Sequence, residues 1–122
     1  MLGSAALVAF VPVTDLARAR SFYAGVLGLT CESVDSFACV LRSGATTIRA
    51  TLVSELHPQP FTVLGWHVED IQAAAKELAA AGVMSKRFDG MGQDELGIWA
   101  APDGARVLWF EDPDGNVLSL TQ

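Results

Sequence analysis

The sequence predicts an α+β fold made of two tandem βαβββ modules, and two observations predict it. A pattern of apolar residues and helix-capping aspartates recurs after 55 residues. The repeated positions are Val8 and Val63, Val13 and Val68, and Asp15 and Asp70. In each repeat a strand-like run precedes a helical stripe, and short β-rich runs with turn residues follow it. Two four-stranded sheets that each carry a helix on one face would leave two open faces, which predicts a concave trough.

The first module is predicted within residues 5–54 of a single domain that spans residues 1–122. Its first strand covers Leu7–Val13 and is followed by Asp15, a residue type that caps helix N-termini. An apolar stripe continues the helix to Leu27, and Gly28 is a typical helix stop. The three remaining strands are predicted at Thr30–Val34, Phe37–Arg42 and Thr46–Val53. Residues 55–60 contain two prolines and are interpreted as a linker.

The second module is predicted within residues 61–122 and has the same order of elements. A strand over Phe61–Val68 precedes a helix that Asp70 caps and Gly82 ends. The strands after this helix are predicted at Val83–Phe88, Leu96–Ala101, Ala105–Glu111 and Asn116–Thr121. Proline and glycine mark the turns at residues 102–104 and 112–116. The glycine-rich residues 89–94 are interpreted as a mobile loop, either a lid or an ordinary surface loop.

Composition excludes several classes of protein. Half of the 122 residues (51%) are hydrophobic, which excludes a disordered chain. The longest apolar run is too short to cross a bilayer, and no signal peptide is apparent, so a cytoplasmic protein is expected. The net charge of −6 and the scattered basic residues exclude a nucleic-acid-binding surface.

Cys31 and Cys39 are the only cysteines, and they are placed symmetrically about Asp35 in a predicted hairpin. They are expected to lie roughly opposite each other. We interpret them first as small buried apolar residues of a reduced protein. A cross-strand disulfide or redox pair is the alternative. No CxxC motif is present to suggest zinc or thioredoxin-like chemistry.

Six short segments, in this order and spacing, carry a family likeness. They are Pro12–Leu16, Arg18-Ala19-x-x-Phe22-Tyr23, Val26–Leu29, Val68–Ile71, Ala80–Val83 and Phe110–Asn116. With the internal repeat, they make the sequence resemble the vicinal oxygen chelate superfamily, also called the glyoxalase/bleomycin resistance/dioxygenase superfamily. The resemblance implies curved sheets that enclose a cavity, and it implies a homodimer. Whether the modules pair within one chain or exchange across a dimer stays open.

The resemblance also implies a divalent metal, held by His, Gln or Glu from the first and last strand of each module. The corresponding positions here are occupied by Val8, Val63 and Ser119. The fourth position falls within residues 47–50, where Ile48 and Ala50 are the favoured candidates. Valine has no metal-ligating atom and serine is a poor neutral ligand, so neither a family-type metal nor another cofactor is expected.

Strand alternation predicts which side chains line the trough. The predicted ligand-binding residues are Phe10, Phe37, His67, Trp99, Trp109, Glu111 and Ser119. His67 and Glu111 are also the candidates for acid–base catalysis. For His67 the competing interpretation is a hydrogen-bonded structural group. Trp66 faces the helices by the same alternation and is interpreted as a core residue.

The leading hypothesis is a non-metal binding protein, similar to the bleomycin-resistance branch, that holds a small apolar or aromatic molecule in an aromatic-lined trough. The alternative is a lyase or oxygenase with a displaced metal site, or a cofactor-free catalyst that uses His67 and Glu111. A regulatory module with a vestigial cavity is the third hypothesis. The identity of the ligand does not follow from the sequence.

Overall fold

The structure is a computed structural model that describes all 122 residues. The chain forms two compact units, Met1–His57 and Pro58–Gln122. Each contains one four-stranded mixed sheet and one principal helical segment. The predicted α+β class and the two βαβββ modules are confirmed.

In unit one, strand β1 is followed by a helical segment and three further strands. The strands are β1 (Val8–Val13), β2 (Thr30–Val34), β3 (Ala38–Ser43) and β4 (Thr46–Leu52). Their order in the sheet is β1-β4-β3-β2, with β1 and β4 parallel and the other pairs antiparallel. Helix α1 (Leu16–Arg20) begins at Asp15, whose carboxylate accepts the Arg18 backbone N–H at 2.9 Å.

Unit two repeats this arrangement. Its strands are β5 (Thr62–His67), β6 (Trp99–Ala100), β7 (Arg106–Glu111) and β8 (Val117–Thr121). The strand order β5-β8-β7-β6 corresponds to the order β1-β4-β3-β2 of unit one, and the edge strand β5 is again parallel to its neighbour β8. Helix α2 (Ile71–Ala80) begins at Asp70, whose carboxylate accepts the Ala73 backbone N–H at 3.0 Å. The repeat predicted from the sequence therefore corresponds to two units with the same order of strands and helix.

Each sheet has a helix side, which forms the core, and an opposite side that we call the open face. The core side chains of unit one's sheet are at most 3% exposed: Val11, Val13, Cys39, Leu41, Ile48 and Ala50. Those of unit two's sheet are at most 7% exposed: Leu108, Phe110, Leu118 and Leu120. Trp66 stacks on Phe110 at 6.5 Å between ring centroids, so it lies on the core side of the sheet, as predicted.

Two predicted elements differ from the structure. The helix predicted from Asp15 to Leu27 ends as an α-helix at Arg20 and continues as a π-helix over Ser21–Val26. This wider turn accommodates the adjacent rings of Phe22 and Tyr23, which meet edge to face at 5.2 Å and are both buried. The strand predicted at Val83–Phe88 is reduced to a single bridge between Ser85 and Phe110.

The two cysteines are free thiols, Cys39 fully buried and Cys31 half-buried. They are not directly opposite each other, because a bulge between Cys31 and Ser33 shifts the register. Cys39 therefore pairs with Val34, and Cys31 with Leu41. Their sulfur atoms still lie 3.8 Å apart and share a weak hydrogen bond.

Alkaline pH is expected to destabilise the protein through Cys39. Burial, and then the hydrogen bond with Cys31, raises the pKa of the Cys39 thiol from 9.0 to about 11. The folded state therefore favours the neutral thiol, and this contribution is complete below pH 9 and is lost as pH rises toward 11. Urea unfolding between pH 8 and 10.5 should show a steeper loss of stability for wild type than for Cys39→Ala. Equal slopes would contradict this account.

No helix of the structure combines the length and apolar character that a membrane span requires.

Candidate functional site

A buried turn fixes the two central strands of unit two relative to each other. Asp112 Oδ1 accepts the backbone N–H groups of Asp114 and Asn116, each at 2.9 Å, and its Oδ2 accepts the Asn116 side-chain amide at 2.8 Å. Asp112 and Asn116 are 5% and 2% exposed. The predicted hairpin turn is therefore a closed polar network that sets the register of β7 against β8.

The register of unit two defines which side chains share its open face. Trp99 is paired with Val107, Trp109 with Ser119, and Glu111 with Val117, so these residues lie on one side of the sheet. On the next two strands, Ser119 of β8 lies beside Gly65 of β5, and Thr121 of β8 lies beside His67 of β5. These residues complete the face. Five predicted ligand-binding residues are thus on this face: His67, Trp99, Trp109, Glu111 and Ser119.

Three aromatic rings on this face form a continuous group, which we call the aromatic wall. Trp109 is its centre, with the Trp99 ring at 5.9 Å and 36° and the Phe88 ring at 5.3 Å and 83°. Both tryptophans are half-buried. Part of each indole is therefore accessible, and aromatic surface of this kind can stack with a planar molecule.

One ion pair stands beside the aromatic wall. Lys86 Nζ lies 2.6 Å from Glu111 Oε1, and 5.8 Å from the centre of the Phe88 ring. The two charged side chains are 33% and 41% exposed, so the pair stays accessible. It presents a donor and an acceptor side by side without adding net charge.

Hydrogen bonds of the Gln93 side chain fix the backbone of the segment that contains Lys86 and Phe88. Its Oε1 accepts the Phe88 backbone N–H at 2.8 Å, and its Nε2 donates to the carbonyls of Lys86 and Gly97 at 2.9 and 2.8 Å. Asp94 Oδ1 accepts the backbone N–H groups of Leu96 and Ile98, each at 2.9 Å. These bonds tie residues 93 and 94, at the C-terminal end of the predicted loop, to both of its flanks.

A notch adjoins Trp109 on the open face. Gly65 has no side chain there, and a Cβ atom built on it would lie 3.0 Å from Ser119 Oγ. Ser119 is 7% exposed, and its neighbour across the sheet is Trp109. The floor of the notch is therefore backbone and one hydroxyl, bounded on one side by an aromatic ring.

His67 stands apart from Glu111, which corrects the idea of a His67–Glu111 catalytic pair. His67 is paired with Thr121, which is paired in turn with Val107 of β7. Glu111 of β7 is paired instead with Val117. Val107 and Glu111 are four residues apart on β7, or about 13 Å at about 3.3 Å per residue. The His67 ring is exposed and makes no hydrogen bond to another protein group, so it is not a hydrogen-bonded structural residue either.

The other predicted residues belong to unit one. Phe10 lies on the open face of its sheet and is 62% exposed. Phe37 is not in a strand: it lies in the turn before β3, is 72% exposed, and donates its backbone N–H to Asp35 Oδ1 at 2.7 Å.

The residues present do not fit a family-type metal centre. Val8 is on the open face of unit one, and Val63 lies at an irregularity of β5, where Thr62 rather than Val63 pairs with Val117. The structure contains no group of three or more His, Cys, Asp and Glu side chains that could hold a metal ion. No chemical step can therefore be assigned to a metal held by the predicted positions.

The fourth expected ligand position needs a correction. Ile48 and Ala50 are buried on the helix side of unit one. Arg49 lies between them on the open face and pairs with Phe10, as Ser119 pairs with Gly65 in unit two. Because Phe10 and Gly65 are equivalent in the 55-residue repeat, Arg49 is the counterpart of Ser119.

A cavity of about 450 Å³ lies in unit two on the helix side of the sheet, not on the open face. Its floor is formed by Leu108 and Phe110, and Ala75, Leu78 and Ala79 of α2 form a wall. It is therefore not the predicted aromatic-lined trough, whose tryptophans lie on the opposite side of the sheet.

Sequence reasoning missed Lys86, Phe88 and Gln93. Lys86 and Phe88 are two residues apart, as side chains on the same face of a strand are. This spacing was the one signal in the sequence that they face the same side. The bonds of Gln93 join residues on both sides of the loop, and no sequence pattern indicates them.

Residues 5–120 match the family model described as the Glyoxalase/Bleomycin resistance protein/Dioxygenase superfamily. No curated protein matches the chain. Solved structures resemble it along nearly its whole length. The glyoxalase family protein from Enterococcus faecalis is 17% identical, with a TM-score of 0.76 and 100% of both chains covered.

Two further solved structures have more specific names. The genomically encoded fosfomycin resistance protein from Listeria monocytogenes is 15% identical, with a TM-score of 0.76, and the match covers 97% of this chain and 92% of that one. Lactoylglutathione lyase from Agrobacterium tumefaciens is 15% identical, with a TM-score of 0.73 and the same two coverages. At these identities the likeness is one of fold.

Proposed function

The chain belongs to the glyoxalase/bleomycin resistance protein/dioxygenase superfamily, and we propose that it is a binding protein that takes a small planar aromatic molecule without a metal. The molecule lies on the open face of unit two. The observation that carries this proposal is the aromatic wall, in which Trp109 contacts both Trp99 and Phe88 beside the notch at Gly65. Burial and stacking supply the affinity.

The polar groups around the aromatic wall restrict which functional groups the ligand can carry. Lys86 and Glu111 offer a donor and an acceptor together, which suits a ligand edge that carries both, such as an amide or lactam. Ser119 adds one hydroxyl at the floor of the notch. Because the ion pair is internally neutral, a neutral ligand is favoured over the cationic one that the net charge of −6 would attract at long range.

Filling the notch should block binding. A side chain at Gly65 would crowd Ser119 Oγ and occupy the space beside Trp109, so Gly65→Val is expected to weaken binding by at least about tenfold. The measurement is tryptophan fluorescence against a panel of planar aromatic and glycopeptide-type compounds. Gly25→Ala is the matched control, because a Cβ at Gly25 meets nothing within 4 Å. A panel without any response from wild type would contradict the proposal.

The alternative function, a metal-dependent lyase or oxygenase, has a direct test in elemental analysis of untagged protein. Stoichiometric zinc, nickel, manganese or iron would contradict the proposal of a non-metal protein, because it would require ligands other than those described. The fold is shared with a lactoylglutathione lyase, but Val8, Val63 and Ser119 lack the donor atoms that such chemistry requires.

We also propose that the protein works as a cytoplasmic homodimer. Unit one leaves several large apolar side chains more than two-fifths exposed: Val8, Phe10, Val34, Phe37 and Leu52. Val34, Phe37 and Leu52 lie at the same end of this sheet, and neighbouring exposed apolar side chains support an interface between copies. Light scattering should give twice the mass of one chain, 12.9 kDa, and a monomer at working concentration would contradict it.

A further inference from the structure

The cavity on the helix side of unit two has the size and the apolar interior of a small-molecule site. Its volume of about 450 Å³ lies within the range of about 300–1,000 Å³ that is usual for such sites. Aliphatic surface comes from Leu78 of α2, from Val83 and Leu96 in the segments that follow it, and from Leu108 of β7. Phe110 is the one aromatic residue of the lining. The interior therefore suits an aliphatic group.

Two polar side chains of the segment after α2 are directed to this cavity. Ser85 forms an antiparallel bridge with Phe110, so the two side chains lie on the same side of the sheet, the helix side. Arg87, two residues further on, faces the same way, and both Ser85 and Arg87 line the cavity. Lys86 and Phe88 face the open side instead.

Two opposite charges line the cavity without pairing with each other. Arg87 Nη2 donates to the backbone carbonyl of Glu95 at 2.7 Å, and the other N–H groups of the guanidinium have no acceptor within the protein. The Glu95 carboxylate and the Ser85 hydroxyl make no hydrogen bond within the protein. Arg87 and Glu95 are both exposed, which places them at the mouth.

The C-terminal end of α2 adds to the negative side of this mouth. Ala79 and Gly82 line the cavity there, and the last turn of the helix has no basic residue to offset the partial negative charge of its carbonyls. This end and Glu95 favour an ammonium group, whereas the free donors of Arg87 favour a carboxylate. The mouth is therefore complementary to a ligand that carries both charges.

We propose that this cavity is a binding site for a free α-amino acid with an aliphatic side chain, such as leucine. The ligand side chain lies between α2 and Leu108, its carboxylate pairs with Arg87, and its ammonium group pairs with Glu95. A ligand with one charge leaves the opposite charge of the mouth without a partner. The site does not rest on the proposed function, because it shares no side chain with the aromatic wall and lies on the other side of the sheet.

The test is an NMR titration of the full chain with L-leucine, followed on the methyl resonances of Leu78 and Leu108. We expect these resonances to shift saturably. The analogues 4-methylpentanoate and 3-methylbutylamine, which each lack one of the two charges, should bind at least about tenfold more weakly. The indole N–H resonances of Trp99 and Trp109 should stay in place, and they report separately on the proposed function.

Substitutions test each charge of the mouth. Arg87→Gln and Glu95→Gln should each weaken leucine binding by at least about tenfold, whereas Arg87→Lys should retain part of it. Lys76→Gln and Glu77→Gln are the matched controls, since each removes an exposed charge of α2 that does not line the cavity. Their expected change is below about twofold.

Four outcomes would overturn this proposal. The first two are methyl resonances that do not shift with leucine, and an analogue with one charge that binds as tightly as leucine. The others are unchanged leucine binding in Arg87→Gln or Glu95→Gln, and an equal loss in either control. The first two are measured on wild type, so they remain decisive if a variant fails to fold.

Discussion

Replacement of Asp112 by alanine is expected to lower the free energy of unfolding by about 3 kcal/mol. The change removes a buried acceptor of two backbone N–H groups and of the Asn116 side-chain amide. Domains of this size have only about 5–15 kcal/mol of stability, so the loss should be plain in urea unfolding.

The matched control is a second aspartate in a turn of the same unit. Asp103 Oδ1 accepts the backbone N–H of Ala105 at 2.9 Å, but this bond is exposed. Asp103→Ala should therefore cost less than about 1 kcal/mol. If the two variants were equally stable, the buried network at Asp112 would not be what fixes β7 against β8.

Replacement of Trp109 by alanine should weaken binding of a planar aromatic ligand by about 2 kcal/mol, or about 30-fold. Trp109 is the ring that contacts both other members of the aromatic wall, and it borders the notch at Gly65 and Ser119. Trp109→Phe keeps a ring in that place and should lose less. Calorimetry with the compound that gives the largest fluorescence response measures both variants.

The control for Trp109 is Trp66, which stacks on Phe110 on the helix side of the same sheet. Trp66→Phe should change stability but leave ligand affinity within about twofold. A loss of affinity in Trp66→Phe as large as that in Trp109→Ala would contradict a site on the open face.

The sequence was most informative where periodicity and turn chemistry agree. The 55-residue repeat predicted two modules, and aspartates 15 and 70 do cap the two helices. The faces of Trp109 and Ser119 followed from alternation along regular strands. Alternation failed at Val63, and the symmetric hairpin failed at Cys31, because irregularities in β5 and β2 shift the register and no residue pattern marks them.

Contacts between distant residues could not be predicted in the same way. Arg49 was overlooked because Ile48, Arg49 and Ala50 are adjacent in sequence, and only the pairing with Phe10 shows which of them faces outward. His67 and Glu111 were associated because both were placed on one face, but their separation depends on the register across three strands. The Lys86–Glu111 pair joins an irregular segment to β7. The periodicity of residues within either segment does not predict a contact between the two.

The most direct test of a binding face in unit two uses tryptophan fluorescence from the two sides of its sheet. Trp66→Phe leaves emission only from Trp99 and Trp109 on the open face, and the double variant Trp99→Phe/Trp109→Phe leaves only Trp66 on the helix side. With the tightest compound of the aromatic panel, we expect a saturable change in the first variant, at wild-type affinity, and none in the second. A saturable change at wild-type affinity from Trp66 alone, with no response from Trp99 and Trp109, would contradict the account.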